Sequence, residues 1–239
     1  MTKQILFFIG ITFSITFSSC TQTTHEDYLR RGDLLYKQEL YEKAVEQYDL
    51  AIKEKNDFVP AYINKGQALE FQRKFQEALD NYNQLLKVIP NQTEALTRRG
   101  ITYVKIQKFQ ESVTDLEQAN KQNPNNPLIL CNLGLAKITL KDTSGIKDLD
   151  KSISMDSTNS SAFYNRGLGK LLIQESVAAI KDFEYAVKLK PDFGEAYFSI
   201  GLCKFQLGDK DSACMYWKLA VEKGYKNEKA KIIIEQNCN

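Results

Sequence analysis

The sequence predicts an all-α fold, a solenoid of about six helix-turn-helix units closed by a C-terminal capping helix. Three observations carry that prediction. Six glycines, Gly32, Gly66, Gly100, Gly134, Gly167 and Gly201, recur at spacings of 34, 34, 34, 33 and 34 residues, and so steady a beat marks an internal repeat. Large and small residues keep step with it. Four before each glycine stand Tyr28, Tyr62, Leu96, Leu130, Phe163 and Tyr197; twelve after come Ala44, Ala78, Ser112, Ala179 and Ala213, with Gly145 one step early in the 33-residue unit. Sixteen after, Tyr48, Tyr82, Leu116, Phe183 and Trp217 restore a large group, Leu149 doing so one step early. Three residues beyond each of these lie Ala51, Ala119, Ser152, Ala186 and Ala220, with Leu85 as the large exception. Finally, offsets −4, 0 and +3, and then +12, +16 and +19, each fall on one helical face with a break between, so every unit reads as a hairpin of two helices.

A glycine inside a helix costs about 1 kcal/mol relative to alanine, so six forfeit roughly 6 kcal/mol of propensity. Close packing must offset that. The expectation is that each glycine lies opposite a small Ala, letting two backbones approach while neighbouring aromatics fill the sides. With these residues in view, the chain resembles the tetratricopeptide repeat family, whose 34-residue unit carries an aromatic or Leu, then Gly, Tyr, Ala, Phe, Ala and Pro in that order. Pro90, Pro124 and Pro191 stand where the family closes its unit, while Asn56, Ser157 and Tyr225 depart from it. The resemblance implies a right-handed superhelix that binds protein partners on its concave face.

Composition narrows the function classes. With 32 basic and 30 acidic residues the charge is nearly balanced, and no Lys/Arg block offers a nucleic-acid footprint. Nucleic acid is not an expected ligand.

The N-terminus reads as a leader. Lys3 precedes an apolar stretch from Ile5 to Phe17, shorter than the roughly 20 residues a membrane span needs, and Ser18, Ser19 and Cys20 follow. That ending resembles the lipobox of bacterial lipoproteins, which implies residues 1–19 as a signal peptide and Cys20 as the lipidated residue. Thr21 is not the aspartate that retains many lipoproteins at the inner membrane, so the resemblance points to the outer membrane, facing the periplasm. Residues 20–24 are a polar tether.

The units follow in order as residues 25–58, 59–92, 93–126, 127–159, 160–193 and 194–227. Glu26 and Asp27 suit the start of the first helix, where the helix dipole favours negative charge. Unit four loses a residue near Lys141 to Ser144, and Gly145 begins its second helix, which makes it the expected weak point of the stack. Trp217 takes a large inward position and should be buried. Residues 228–239 form a capping helix and tail, with Ile232, Ile233 and Ile234 covering the open end.

No constellation for catalysis stands out, and neither a metal site nor a cofactor is expected. The one histidine, His25, sits at the edge of the tether, and Asp148, Asp150, Asp182 and Glu184 read as solvated surface. No pair of cysteines has metal-ligand spacing. Cys203 and Cys214 lie on the two helices of unit six at offsets that can face each other; a bridge and two plain buried thiols both remain open.

The informative surface is the other face of the first helices. Residues at −3, +1 and +4 from each glycine make an i, i+4, i+7 stripe. In units one and two it is mixed: Leu29, Asp33, Tyr36, then Ile63, Gln67, Glu70. From unit three it turns apolar, through Thr97, Ile101 and Val104, then Cys131, Leu135 and Ile138, then Tyr164, Leu168 and Leu171, then Phe198, Leu202 and Phe205. From Ile101 onward these are the candidate partner-binding residues, for a peptide or amphipathic helix docking its apolar side. Leu29 and Asp33 stand where a family carboxylate clamp would place Lys and Asn, so recognition of an acidic C-terminus is not expected. The chain reads as a non-catalytic scaffold held in the cell envelope by an N-terminal lipid, with a layout similar to six-repeat lipoproteins such as type IV pilus pilotins. The alternative is a carrier whose apolar stripe holds a lipid or small apolar ligand.

Overall fold

The computed structural model of the protein describes residues 23–238; the leader, Cys20 and Thr21 lie outside the described residues. Thirteen helices and no strands form within that range. They pair as α1 (His25–Lys37) with α2 (Tyr41–Glu54), α3 (Val59–Phe71) with α4 (Phe75–Val88), and α5 (Thr93–Lys105) with α6 (Phe109–Gln122). Then come α7 (Pro127–Thr139) with α8 (Gly145–Met155), α9 (Ser160–Leu172) with α10 (Ser176–Leu189), α11 (Gly194–Gln206) with α12 (Lys210–Glu222), and the final α13 (Glu228–Asn237).

Each helix packs on the next, and first helices also touch first helices, α1 on α3 and so on to α9. Successive second helices share no comparable contact. The row of first helices is therefore the tighter, inner side of the stack. Local chemistry starts several of them: Thr24 caps α1 in a capping box with Asp27, whose carboxyl the Thr24 N–H holds down to about 2. Asn126 and Asn159 cap α7 and α9, and Pro127 takes the first turn of α7, where no N–H is needed.

The space left by each glycine is filled by a large side chain. A Cβ built on Gly32, Gly66, Gly100, Gly167 or Gly201 would meet Tyr48, Tyr82, Leu116, Phe183 or Trp217 inside 3.0 Å, so the space each glycine leaves open is taken by the large residue at +16. The missing methyl is the seat for a ring or a leucine. Those large residues are almost fully buried, Tyr82 and Phe183 at 0% and Trp217 at 1% exposure. Unit four adds a true backbone approach. There a Cβ on Gly145 would come 2.6 Å from the carbonyl oxygen of Gly134, so a glycine at the start of α8 is required by contact as well as tolerated.

Every hairpin turns at the same place. Glu39, Arg73, Gln107, Lys141 and Gln174, each seven residues after its glycine, hold φ between 60° and 63°, and in unit six Gly208 takes that position. The N–H of Arg73 donates to Glu70 O and that of Lys74 to Leu69 O, both at 2.9 Å, which is the Schellman pattern, and equivalent bonds recur in the other five turns.

Ion pairs stitch the units together. Arg166 grips Asp182 through two nitrogens at 2.9 and 2.6 Å and reaches Asp150 of the preceding unit at 2.8 Å, with Lys170 adding a bond to Asp182. Asp182 is 2% exposed, which corrects its reading as solvated surface: a carboxylate that deep is held there by two cations. Arg99 repeats the arrangement with Asp115 and Asn83, and Lys137 pairs with Asp148 at 3.0 Å.

The far end is closed by α13. Ile233 and Ile234 pack on the cluster of Phe198, Trp217 and Ala220, while Ile232 points outward at 50% exposure, so two of the three isoleucines form the cover. A disulfide between Cys214 and Cys238 ties α13 to α12, and Cys203 is a free buried thiol. The pairing of Cys203 with Cys214 is thereby excluded.

A left-handed conformation costs a non-glycine residue roughly 1–2 kcal/mol, part of which a glycine gives back as extra freedom of the unfolded chain. Gln107→Gly should thus stabilise the protein by about 0.5–1 kcal/mol in urea-induced unfolding. A loss of stability would contradict the turn geometry.

Candidate partner-binding face

Along the inner row the structure divides the candidate stripe into seated and open residues. Cys131, Ile138 and Phe198 are buried, at 6%, 7% and 9% exposure. Cys131 and Ile138 pack with Leu149 and Ala162, and Phe198 lies with its ring centre 4.9 Å from Tyr225 and 6.1 Å from Trp217. Burial pushes the Cys131 thiol up to about 11, so it stays protonated at neutral pH. Those three serve the internal packing of the solenoid.

The rest of the stripe keeps an open side. Ile101, Val104, Leu135, Tyr164, Leu168, Leu171 and Leu202 are half-buried, and Phe205 is exposed with its ring centre 5.5 Å from that of Trp217. Tyr164 stacks at a tilt against Phe193 and Phe183, and burial raises its hydroxyl above the ordinary tyrosine value. Leu168 and Leu171 lean on the cluster around Phe183, anchoring one side while presenting the other. What results is a row of apolar side chains from α5 to α11 held at fixed positions by the core beneath them.

The first three pairs make a polar counterpart. Tyr48 Oη donates to Asp33 Oδ1 at 2.9 Å, and Asn64 Nδ2 donates to the same oxygen at 2.8 Å. Glu70, with its side chain 8% exposed, accepts from Tyr82 Oη at 3.2 Å and Thr102 Oγ1 at 2.6 Å and pairs with Lys105. Burial, and then the adjoining Asp33 or Glu70, raises both tyrosine hydroxyls far above the usual range, so they stay protonated and donate to those carboxylates. With its oxygen turned toward Arg98, the Gln67 amide accepts from that guanidinium at 2.8 Å.

This network was not anticipated, although a signal for it exists. Tyrosine, rather than Leu, Phe or Trp, fills the large inward position in the first two units alone, and a buried hydroxyl needs an acceptor. Acidic stripe residues occur in those same two units. Elsewhere, His25 packs edge-on against Phe58 at 4.6 Å, and among the described residues no three His, Cys, Asp or Glu side chains gather as a metal site.

Three family models, each described as a tetratricopeptide repeat, match residues 28–58, 63–127 and 195–227. Similar folds occur in solved structures. The Cut9–Hcn1 hetero-tetramer of the APC/C is 12% identical with a TM-score of 0.78; the match covers 92% of this chain but 44% of that one, so this chain spans less than half its length. PilF of Pseudomonas aeruginosa is 14% identical with a TM-score of 0.73, covering 89% of this chain and 97% of that chain. YrrB, a tetratricopeptide repeat protein with an unusual peptide-binding site, is 18% identical with a TM-score of 0.62, covering 80% of this chain and 99% of that chain. At these identities the likeness is one of fold.

Proposed function

Since this chain belongs to the tetratricopeptide repeat family, whose fold serves as a protein–protein interaction scaffold, we propose that it is a non-catalytic adaptor gripping a partner's peptide or helix along the inner row. The observation that carries this reading is the run of half-buried and exposed apolar residues from Ile101 to Phe205, fixed from below by the core and left open above. An amphipathic segment laid there would bury its apolar side against preformed side chains, at little ordering cost to the scaffold. Ile101, Val104, Leu135, Tyr164, Leu168, Leu171, Leu202 and Phe205 make the contact. Cys131, Ile138 and Phe198 set the depth of the floor.

Leu135 and Phe205 are the residues to change, because Leu135 lies outside the buried clusters and Phe205 is exposed. In a crosslinking pull-down, Leu135→Asp/Phe205→Asp should lose the proteins that the wild type captures while keeping its helical circular-dichroism signal. Equal capture by a folded double variant contradicts the reading.

The adaptor is held in the cell envelope, at the outer membrane, by diacylglycerol on Cys20 after removal of residues 1–19. The support is the short apolar leader ending in two serines and the cysteine. Each buried CH₂ of an acyl chain contributes about 0.8 kcal/mol, so two or three chains hold a folded domain without a spanning helix. Metabolic labelling with a fatty acid should mark the wild-type chain and leave Cys20→Ala unlabelled; label on the variant contradicts the tether.

A further inference from the structure

At the polar end of the inner row, a pocket of about 240 Å³ opens between α1 and α3, lined by Asp33, Tyr36, Lys37, Tyr48, Asn64 and Gln67. Both hydrogen bonds to the Asp33 carboxylate land on Oδ1 and come from neutral donors, Tyr48 and Asn64. They orient the group without neutralising it. Of the nearby cations, Lys105 is paired with Glu70, while Arg98 lies on the Gln67 amide at the pocket wall and 3.9 Å from Glu94. Lys37, four residues along α1, lines the pocket and forms no ion pair with Asp33.

Beside the carboxylate stands an aromatic shelf. Tyr36 meets Tyr41 and Phe71 edge-on at 5.4 and 5.7 Å, and Tyr41 stacks on Phe71 at 5.3 Å. Phe71 is 63% exposed, a large apolar surface joined to the pocket through Tyr36, which lines it. A ligand suited to both features has a cationic head and an apolar stem, and the ring faces add attraction for the cation itself.

We propose that this pocket takes the ammonium or guanidinium head of a lysine or arginine side chain from the docked partner, the head on Asp33 and the methylene stem along Tyr36 and Phe71. The proposal rests on the partner lying along the inner row. It gives that partner a direction: a basic residue at the α1–α3 end, then apolar residues running toward α11.

Fragments test the pocket apart from the rest of the row. In NMR titrations of the full chain, butylammonium and butylguanidinium should produce saturable shifts of the Asn64 and Gln67 side-chain amides, and butanoate should not. Asp33→Asn keeps an oxygen for Tyr48 and Asn64 and should fold, yet weaken binding of both cations roughly tenfold, the change expected for losing one charge–charge contact. Lys37→Ala should tighten it. Saturable binding of butanoate at the same signals, absence of saturation with either cation, or unchanged cation affinity in Asp33→Asn would overturn the proposal. If the cations bind as stated while the Leu135→Asp/Phe205→Asp pull-down shows no loss, the failure belongs to the apolar row and the pocket stands.

Discussion

The structure depends on one repeated contact, a large side chain at +16 seated against a glycine that has no Cβ to obstruct it. A core assembled from pairs of helices eleven to fourteen residues long has little width, and a ring or leucine laid flat on the opposite backbone fills it without pushing the helices apart. The helix propensity lost at six glycines is offset by burying five large side chains that are at most 1% exposed and the matching Leu149 at 0%. Because the contact is local to each hairpin, the solenoid extends by repetition, with neighbouring units joined by first-helix packing, the Arg99–Asn83 hydrogen bond and the Arg166–Asp150 ion pair.

The chemistry of that large side chain also shapes the inner face. Where it is Leu or Phe, the side chain has no polar atom to satisfy, and the stripe above it is largely apolar. Where it is tyrosine, the hydroxyl emerges beneath the stripe and draws Asp33 or Glu70 into position. One substitution in the core, a ring with or without oxygen, thus separates a polar end from an apolar end, and the two ends recognise different parts of a ligand.

Much of this fold was legible in the sequence because a period of 34 residues is visible without knowing any contact. Trp217 is buried as its offset indicates, and the irregular fourth pair carries a shortened second helix beginning at Gly145. That the side chain at +16 takes the space above the glycine was not legible, since offsets place both +12 and +16 on the facing helix and side-chain direction decides what fills it. Asp182 went astray for a related reason: its cation, Arg166, lies sixteen residues away on the other helix of the hairpin, beyond any local charge pattern. The disulfide was obscured because Cys238 sits in a tail outside the repeat, where no offset rule applies. For the candidate stripe, spacing identified the face but not the depth of Cys131, Ile138 and Phe198, which is set by the helices on either side.

The glycine contact can be measured directly by a double-mutant cycle on Gly167 and Phe183. Overpacking a core typically costs 1–3 kcal/mol and alanine returns about 1 kcal/mol of helix propensity, so Gly167→Ala alone should destabilise the protein by up to about 2 kcal/mol. In a Phe183→Leu background the added methyl should find room. There the same change should be neutral or stabilising, giving a coupling of about 1 kcal/mol or more. If Gly167→Ala costs the same in both backgrounds, the glycine does not serve as the seat of the large residue, and the account of this fold fails with it.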